Sequence, residues 1–233
     1  MPTINSAATR GSVRATGFDS VYTSWEEVRD LTNGTAAAVN TNNTTAIGAD
    51  EVTGGLGTSW SCRRYFMAFN TSSITSVPAS ATLYVYGNTN ASSDLIAVKA
   101  TAPTTGTNIA TTNYSSIDGY TPGALLPMEG YVTEYSDYIA PGWSTTGYNA
   151  IPLTAAALSD MNTLTTFQLA LVNYTYDYLF LGFFGTNVYT GINITNQPYI
   201  EYTNFNGNVF SISLSTISKI NDVSKGNINK MNT

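Results

Sequence analysis

The chain has 233 residues and a net charge of −6, with only 10% of its side chains charged against 42% hydrophobic. A soluble domain usually carries about a quarter charged residues, so this surface is neutral and polar, built from Asn, Thr, Ser, Gly and 16 tyrosines. The acidic balance leaves no basic stripe for phosphates and argues against direct nucleic-acid binding, while the lack of any histidine removes Ser-His-Asp and Cys-His mechanisms and the commonest zinc ligand.

This composition suits one large β domain, since sandwiches run past about 200 residues as single units. The lone Cys62 excludes an internal disulfide and, lying inside an apolar strand pattern, reads as a small buried core residue. The start, Met1 to Ser6, has neither a basic nor an apolar leader region, and no stretch approaches the roughly 20 apolar residues of a membrane span.

In chain order, residues 1–16 are small and polar without periodicity, which predicts a flexible or partner-bound arm. Phe18 to Val28 and Leu31 to Val39 hold alternating or β-branched stretches, although Trp25, Val28 and Leu31 also repeat at helical spacing. Thr41 to Gly57 reads as a loop rich in Asn, Thr and Gly. The strongest core signal is Cys62 to Phe69, where Tyr65, Met67 and Phe69 alternate with Arg64, Phe66 and Ala68. A turn follows, then strands over Ala81 to Tyr86 and Asp94 to Ala100, and a long Thr/Gly/Asn/Pro loop from Thr101 to Pro127.

Tyr131 to Ile139 and Tyr148 to Thr154 read as further extended segments, and Ala155 to Met161 as a short helix capped by Thr154. Thr165 to Tyr174 carries Phe167, Leu169 and Leu171 at period two, and the apolar run Tyr178 to Phe184 reads as a strand covered on both faces. Pro198 to Thr203 is the last strand of a domain spanning 17–204. Many short strands and few helices predict an all-β, antiparallel sandwich with long polar loops and extended terminal arms.

The segment 205–233 repeats an Ile-x-Lys-apolar-Asn unit: Ile217, Lys219, Ile220 and Asn221 return as Ile228, Lys230, Met231 and Asn232. A strip this short buries too little apolar surface to offset the entropy of ordering it, so it needs something to lie against. It reads as a docking tail in which Ile217, Lys219, Ile220, Asn221, Ile228, Lys230 and Met231 face a partner. The tail resembles the "ISKING"-type tails of tailed-bacteriophage structural proteins, with Asp222 in place of the glycine.

Arg64-Tyr65-Phe66-Met67-Ala68-Phe69-Asn70, Val77-Pro78-Ala79-Ser80-Ala81-Thr82-Leu83-Tyr84 and Gln197-Pro198-Tyr199-Ile200-Glu201-Tyr202 together resemble the DNRLRE-type, carbohydrate-binding-module-like β-sandwich family over about Phe18 to Asn204. The resemblance implies a jelly-roll-like sandwich of extracellular and wall-associated proteins, used for glycan binding or as a spacer, with no catalytic residue. Asn70 stands where the family usually has Asp.

Three kinds of site remain to be weighed on the residues themselves. The carboxylates Glu26 with Glu27, Asp50 with Glu51, and Glu134 with Asp137 lack any supporting motif, and neighbours on a strand point to opposite faces. Asp94, Asp118 and Asp177 could build an oxygen-only calcium site, yet no spaced acidic loop accompanies them. Trp25, Trp60 and Trp143, with Tyr120, Tyr131, Tyr135 and Tyr138, could stack on a sugar.

The expectation is therefore a protein without enzymatic activity, cofactor or metal: a structural part of a tailed-phage virion (capsid decoration, head fibre or tail component), oligomeric and anchored to other virion subunits by its termini. Such a particle is assembled in the bacterial cytoplasm, which fits an outward-facing composition without a leader. The alternative is a glycan-binding adhesion module with a host glycan as partner.

Overall fold

Two fourteen-residue strands, β5 (Gly57–Asn70) and β6 (Pro78–Ala91), organise the molecule, because each is long enough to pair with different neighbours along its length. The computed structural model describes residues 1–204 except 8–9, 19–20, 22–23, 40–44, 56, 105–106, 184, 186–187 and 194. Around β5 and β6 lie β1 (Thr3–Asn5), β2 (Gly11–Phe18), β3 (Ala36–Val39), β4 (Thr45–Gly54), β7 (Leu95–Lys99), β8 (Tyr148–Pro152), β9 (Thr166–Asn173), β10 (Val188–Ile192) and β11 (Tyr199–Asn204), with helices α1 (Trp25–Arg29) and α2 (Ala155–Thr163).

All the strand pairings are antiparallel, as the alternating patterns predict. β5 holds β2 along one edge and first β4, then β9, along the other; β9 passes the pairing on to β7 and β2 passes it on to β3. β6 pairs with β11 and β8 in its first half, and its far end meets β10. The order β1-β11-β6-β10-β4-β5-β2-β3 is thus one continuous sheet turned through β6. The sequence-based jelly roll, two separate sheets of a double Greek key, is not carried by this order.

The turned sheet faces itself across a core. Tyr65, Met67 and Phe69 of β5 and Phe167, Leu169 and Leu171 of β9 meet Ala81, Leu83 and Val85 of β6, with Ile151, Ile200 and the α2 residues Ala157 and Met161 closing the sides. The period-two signal of these segments is this shared face. α2 forms where expected, with Thr154 as N-cap accepting from Ala157 N–H.

The opposite face of β5, β9 and β7 is also buried. Cys62 and Phe66, Ala170 and Val172, and Ile96 and Val98 pack under a layer made of α1, the irregular chain from Ile109 to Met128, and the segment Tyr178 to Phe183. The long loop after β7 is therefore a core element, largely irregular apart from the 3₁₀ turn Thr111–Asn113 among its described residues, and Ile109, Tyr114, Ile117 and Met128 are buried.

Four expectations change. The predicted arm 1–16 holds β1 and most of β2, with Val13 and Ala15 fully buried. The predicted loop 41–57 contains β4, which buries Ile47 and Ala49. Tyr131 to Ile139 forms only isolated bridges, at Glu134 and Ile139. The segment Tyr178 to Phe184 contains no strand in its described residues: Tyr174–Tyr178 is a single π turn, and the apolar run after it plugs the second core. The tail 205–233, with Ile217, Lys219, Ile220, Asn221, Ile228, Lys230 and Met231, lies outside the described residues.

Candidate functional site

The π turn positions the most buried charge cluster described. Asn173 caps it, accepting from Tyr176 N–H at 2.6 Å, and this brings Asp177 beneath β5 and α1. Arg64, from the face of β5 turned away from the main core, reaches Asp177 with two donors, Nε to Oδ2 at 2.8 Å and Nη2 to Oδ1 at 2.7 Å. Arg29, in the last turn of α1, donates Nε to Oδ1 at 3.0 Å and Nη1 to Asp30 Oδ1 at 2.9 Å. The side chains of Arg29, Arg64 and Asp177 are wholly excluded from solvent.

Aromatic rings complete the cluster. Tyr114 and Tyr120 lie 4.1 Å and 4.6 Å from the Arg64 guanidinium, and Phe180 lies 4.6 Å from that of Arg29. Burial alone would raise the Asp177 pKa, but the Arg64 charge and hydrogen bonds, with Arg29, outweigh it and hold the carboxyl below its ordinary value. Cys62, beside Asp177, is pushed up to about 12, first by burial and then by the Asp177 charge, and stays a thiol. Both Asp177 oxygens are committed to guanidinium donors, so this arrangement has no free base or thiolate nucleophile to offer. It is a clasp that fastens the outer layer to the sheet.

Open surface chemistry is found elsewhere. On the outer face of β6, β8 and β11, alternate residues put Tyr84, Tyr86, Tyr148 and Tyr199 side by side. Tyr84 stacks on Tyr199 at 4.8 Å, Tyr148 meets Tyr199 edge-on at 5.0 Å, and Tyr86 meets Tyr148 at 5.1 Å. The hydroxyls of Tyr86 and Tyr148 donate to the carbonyls of Thr146 and Gln197, and Glu201 lies against Tyr84. Tyr148 is 41% exposed. The result is a tile of partly exposed tyrosine rings, one pair stacked and two edge-on, with polar edges on the outer face of this layer.

The expected tryptophan platform does not form. Trp25 is buried in the second core against Phe183, Trp143 is buried in the main core, and half-buried Trp60 packs beside the second core. Side chains split between opposite faces of a sheet cannot present one surface. Tyr135 is stacked inside on Phe167, Tyr120 belongs to the clasp, and Tyr131 and Tyr138 are exposed. The sequence signal for the actual tile was the alternation Tyr84-Val85-Tyr86 with Tyr148 and Tyr199, legible only once β6, β8 and β11 are known to be neighbours.

The carboxylates singled out for calcium are dispersed. Asp94 is held by Asn173 and Thr175, Asp118 by Lys99, and Asp177 by the two arginines. Among the described residues no three of His, Cys, Asp and Glu gather as a metal site. Glu134 accepts from the Tyr178 hydroxyl and Asp137 is exposed, while Asp50 and Glu51 alternate along β4.

No family model matches the chain, and no curated protein matches it significantly.

Proposed function

We propose that this protein is a non-enzymatic structural component of a tailed-phage virion, a β-sandwich that packs on its neighbours and is anchored by its terminal segment. The observation that carries the reading is the tyrosine tile. Tyr84, Tyr86, Tyr148 and Tyr199 interlock, one pair stacked and two edge-on, into an amphipathic patch on the outer sheet face, and tyrosine is among the residues enriched where subunits meet. The sparse charge supports it too, since dense arrays of strongly charged copies would repel one another. The likeness of the tail to "ISKING"-type segments points the same way, and the chain reaches that tail from Asn204, the end of β11, which pairs with the edge strand β1.

The second reading, a glycan-binding module as in the DNRLRE-like resemblance, is favoured by the same tile, because exposed aromatic faces with adjacent hydroxyl and carboxylate groups also suit sugar rings. One double variant separates the two. Tyr148→Ala with Tyr199→Ala should abolish self-association seen by light scattering if the tile is an interface. It should abolish retention on a glycan array without changing mass if the tile is a sugar platform. Loss of neither property would refute both.

A further inference from the structure

A second surface has the opposite character to the tile. Arg14 of β2 and Arg63 of β5 are direct cross-strand partners on one face. Like charges directly opposite on a sheet are destabilising. The other cations among the described residues avoid that cost: Arg29, Arg64 and Lys99 each contact carboxylates, and Arg10 is buried with a donor on the Ala7 carbonyl. None of the ion pairs found among the described residues involves Arg14 or Arg63. Moreover, the Arg63 Nε–H is buried without a hydrogen-bond partner, so part of its donor fork is unsatisfied.

Both arginines line one cleft of about 490 Å³, together with Ser12, Thr45, Tyr189 and Gly191. That volume falls within the usual range of small-ligand sites, about 300–1,000 Å³. The Arg63 guanidinium lies over the Tyr189 ring at 4.6 Å, which helps hold it in place. Ser12 accepts from the Thr45 hydroxyl, so its own proton is free to be donated elsewhere. Alanines of β3 and β4 and Gly191 provide small walls, leaving room for a ring-sized body. Asp50 lies beside the Tyr189 hydroxyl.

We propose that this cleft binds an oxyanion carried on a small ring-sized molecule, a carboxylated or phosphorylated sugar unit, with Arg14 and Arg63 converging on the charged group and Ser12 adding a hydroxyl donor. Two facing guanidiniums suit planar or tetrahedral oxyanions, which accept several charge-assisted bonds at once. The ligand resolves the like-charge opposition that the free sheet tolerates. The tile lies on the outer face of the β6-β8-β11 layer, so this site depends on neither reading of it.

The test is isothermal titration of the full-length protein with glucuronate, glucose 6-phosphate, inorganic phosphate and uncharged glucose, at low and high salt. Both charged sugars should bind, at least roughly tenfold more tightly than glucose and more weakly as salt rises. Arg14→Gln and Arg63→Gln should each weaken that binding by roughly tenfold or more, and Lys99→Gln should leave it unchanged. Preference for glucuronate would assign a uronic-acid source, and preference for the phosphosugar a phosphorylated one; either supports the site. Because the arginines oppose each other, Arg14→Gln should leave the ligand-free melting temperature unchanged or raise it. Absence of binding by both charged sugars, glucose binding equally well, phosphate alone binding, or a lower melting temperature on removing Arg14 would each overturn the proposal.

Discussion

Asp177 is the residue on which the outer layer turns. Replacing it by Ala removes the carboxylate that Arg64 pairs with and leaves Arg29 to Asp30 alone, and breaking a buried pair from one side costs about 3–5 kcal/mol. We therefore expect Asp177→Ala to lose about that much stability in chemical denaturation, or to fail to accumulate. The pH dependence follows from the shifts. Asp177 has a depressed folded pKa, so its contribution is present above the unfolded carboxyl value of about 3.9 and is lost as pH falls through the lower folded value. Cys62, raised to about 12, works in the other sense: its contribution is full below the unfolded thiol value of about 8.5 and fades as pH climbs toward the folded one. Tyr189, pushed up to about 12 mainly by burial, adds to the alkaline limb. Denaturation midpoints across pH should be flat near neutrality and fall on both sides. In native protein at about pH 8 a thiol reagent should leave Cys62 unmodified until the chain unfolds.

At the scale of elements, β10 is held to β4 by a glycine. Gly48 has a φ of +141°, and a Cβ there would fall 2.0 Å from the Val188 carbonyl oxygen. Gly48→Ala should displace β10, costing about 1–3 kcal/mol for the strained backbone before any loss of pairing, and hydrogen exchange should quicken in β10 ahead of β5. Which elements were legible follows from side-chain contrast. β5, β6, β9 and β11 alternate large apolar with other residues and are written in the sequence. β2 and β4 bury Val13, Ala15 and Ala49 between Gly, Ser and Thr, a contrast too weak to separate from loop. Tyr178 to Phe183 failed in the other direction: its apolar run comes from packing between α1 and the sheet, which needs no strand. The clasp joins residues 113 and 148 positions apart, and no local spacing announces such a partnership. The tile was hidden for the same reason, since its tyrosines become neighbours only through the pairing of β6 with β8 and β11.

The whole molecule carries three distinct regions: a layer fastened by the Asp177 clasp, a tyrosine tile, and a cleft lined by Arg14 and Arg63. The proposed role is assembly, organised by the segment 205–233. The most direct test is the solution mass and negative-stain appearance of the full-length chain beside the form ending at Asn204. Defined oligomers or extended assemblies are expected for the full chain and a folded monomer for the shortened one; a full-length monomer, or assembly unchanged by the truncation, would rule that role out.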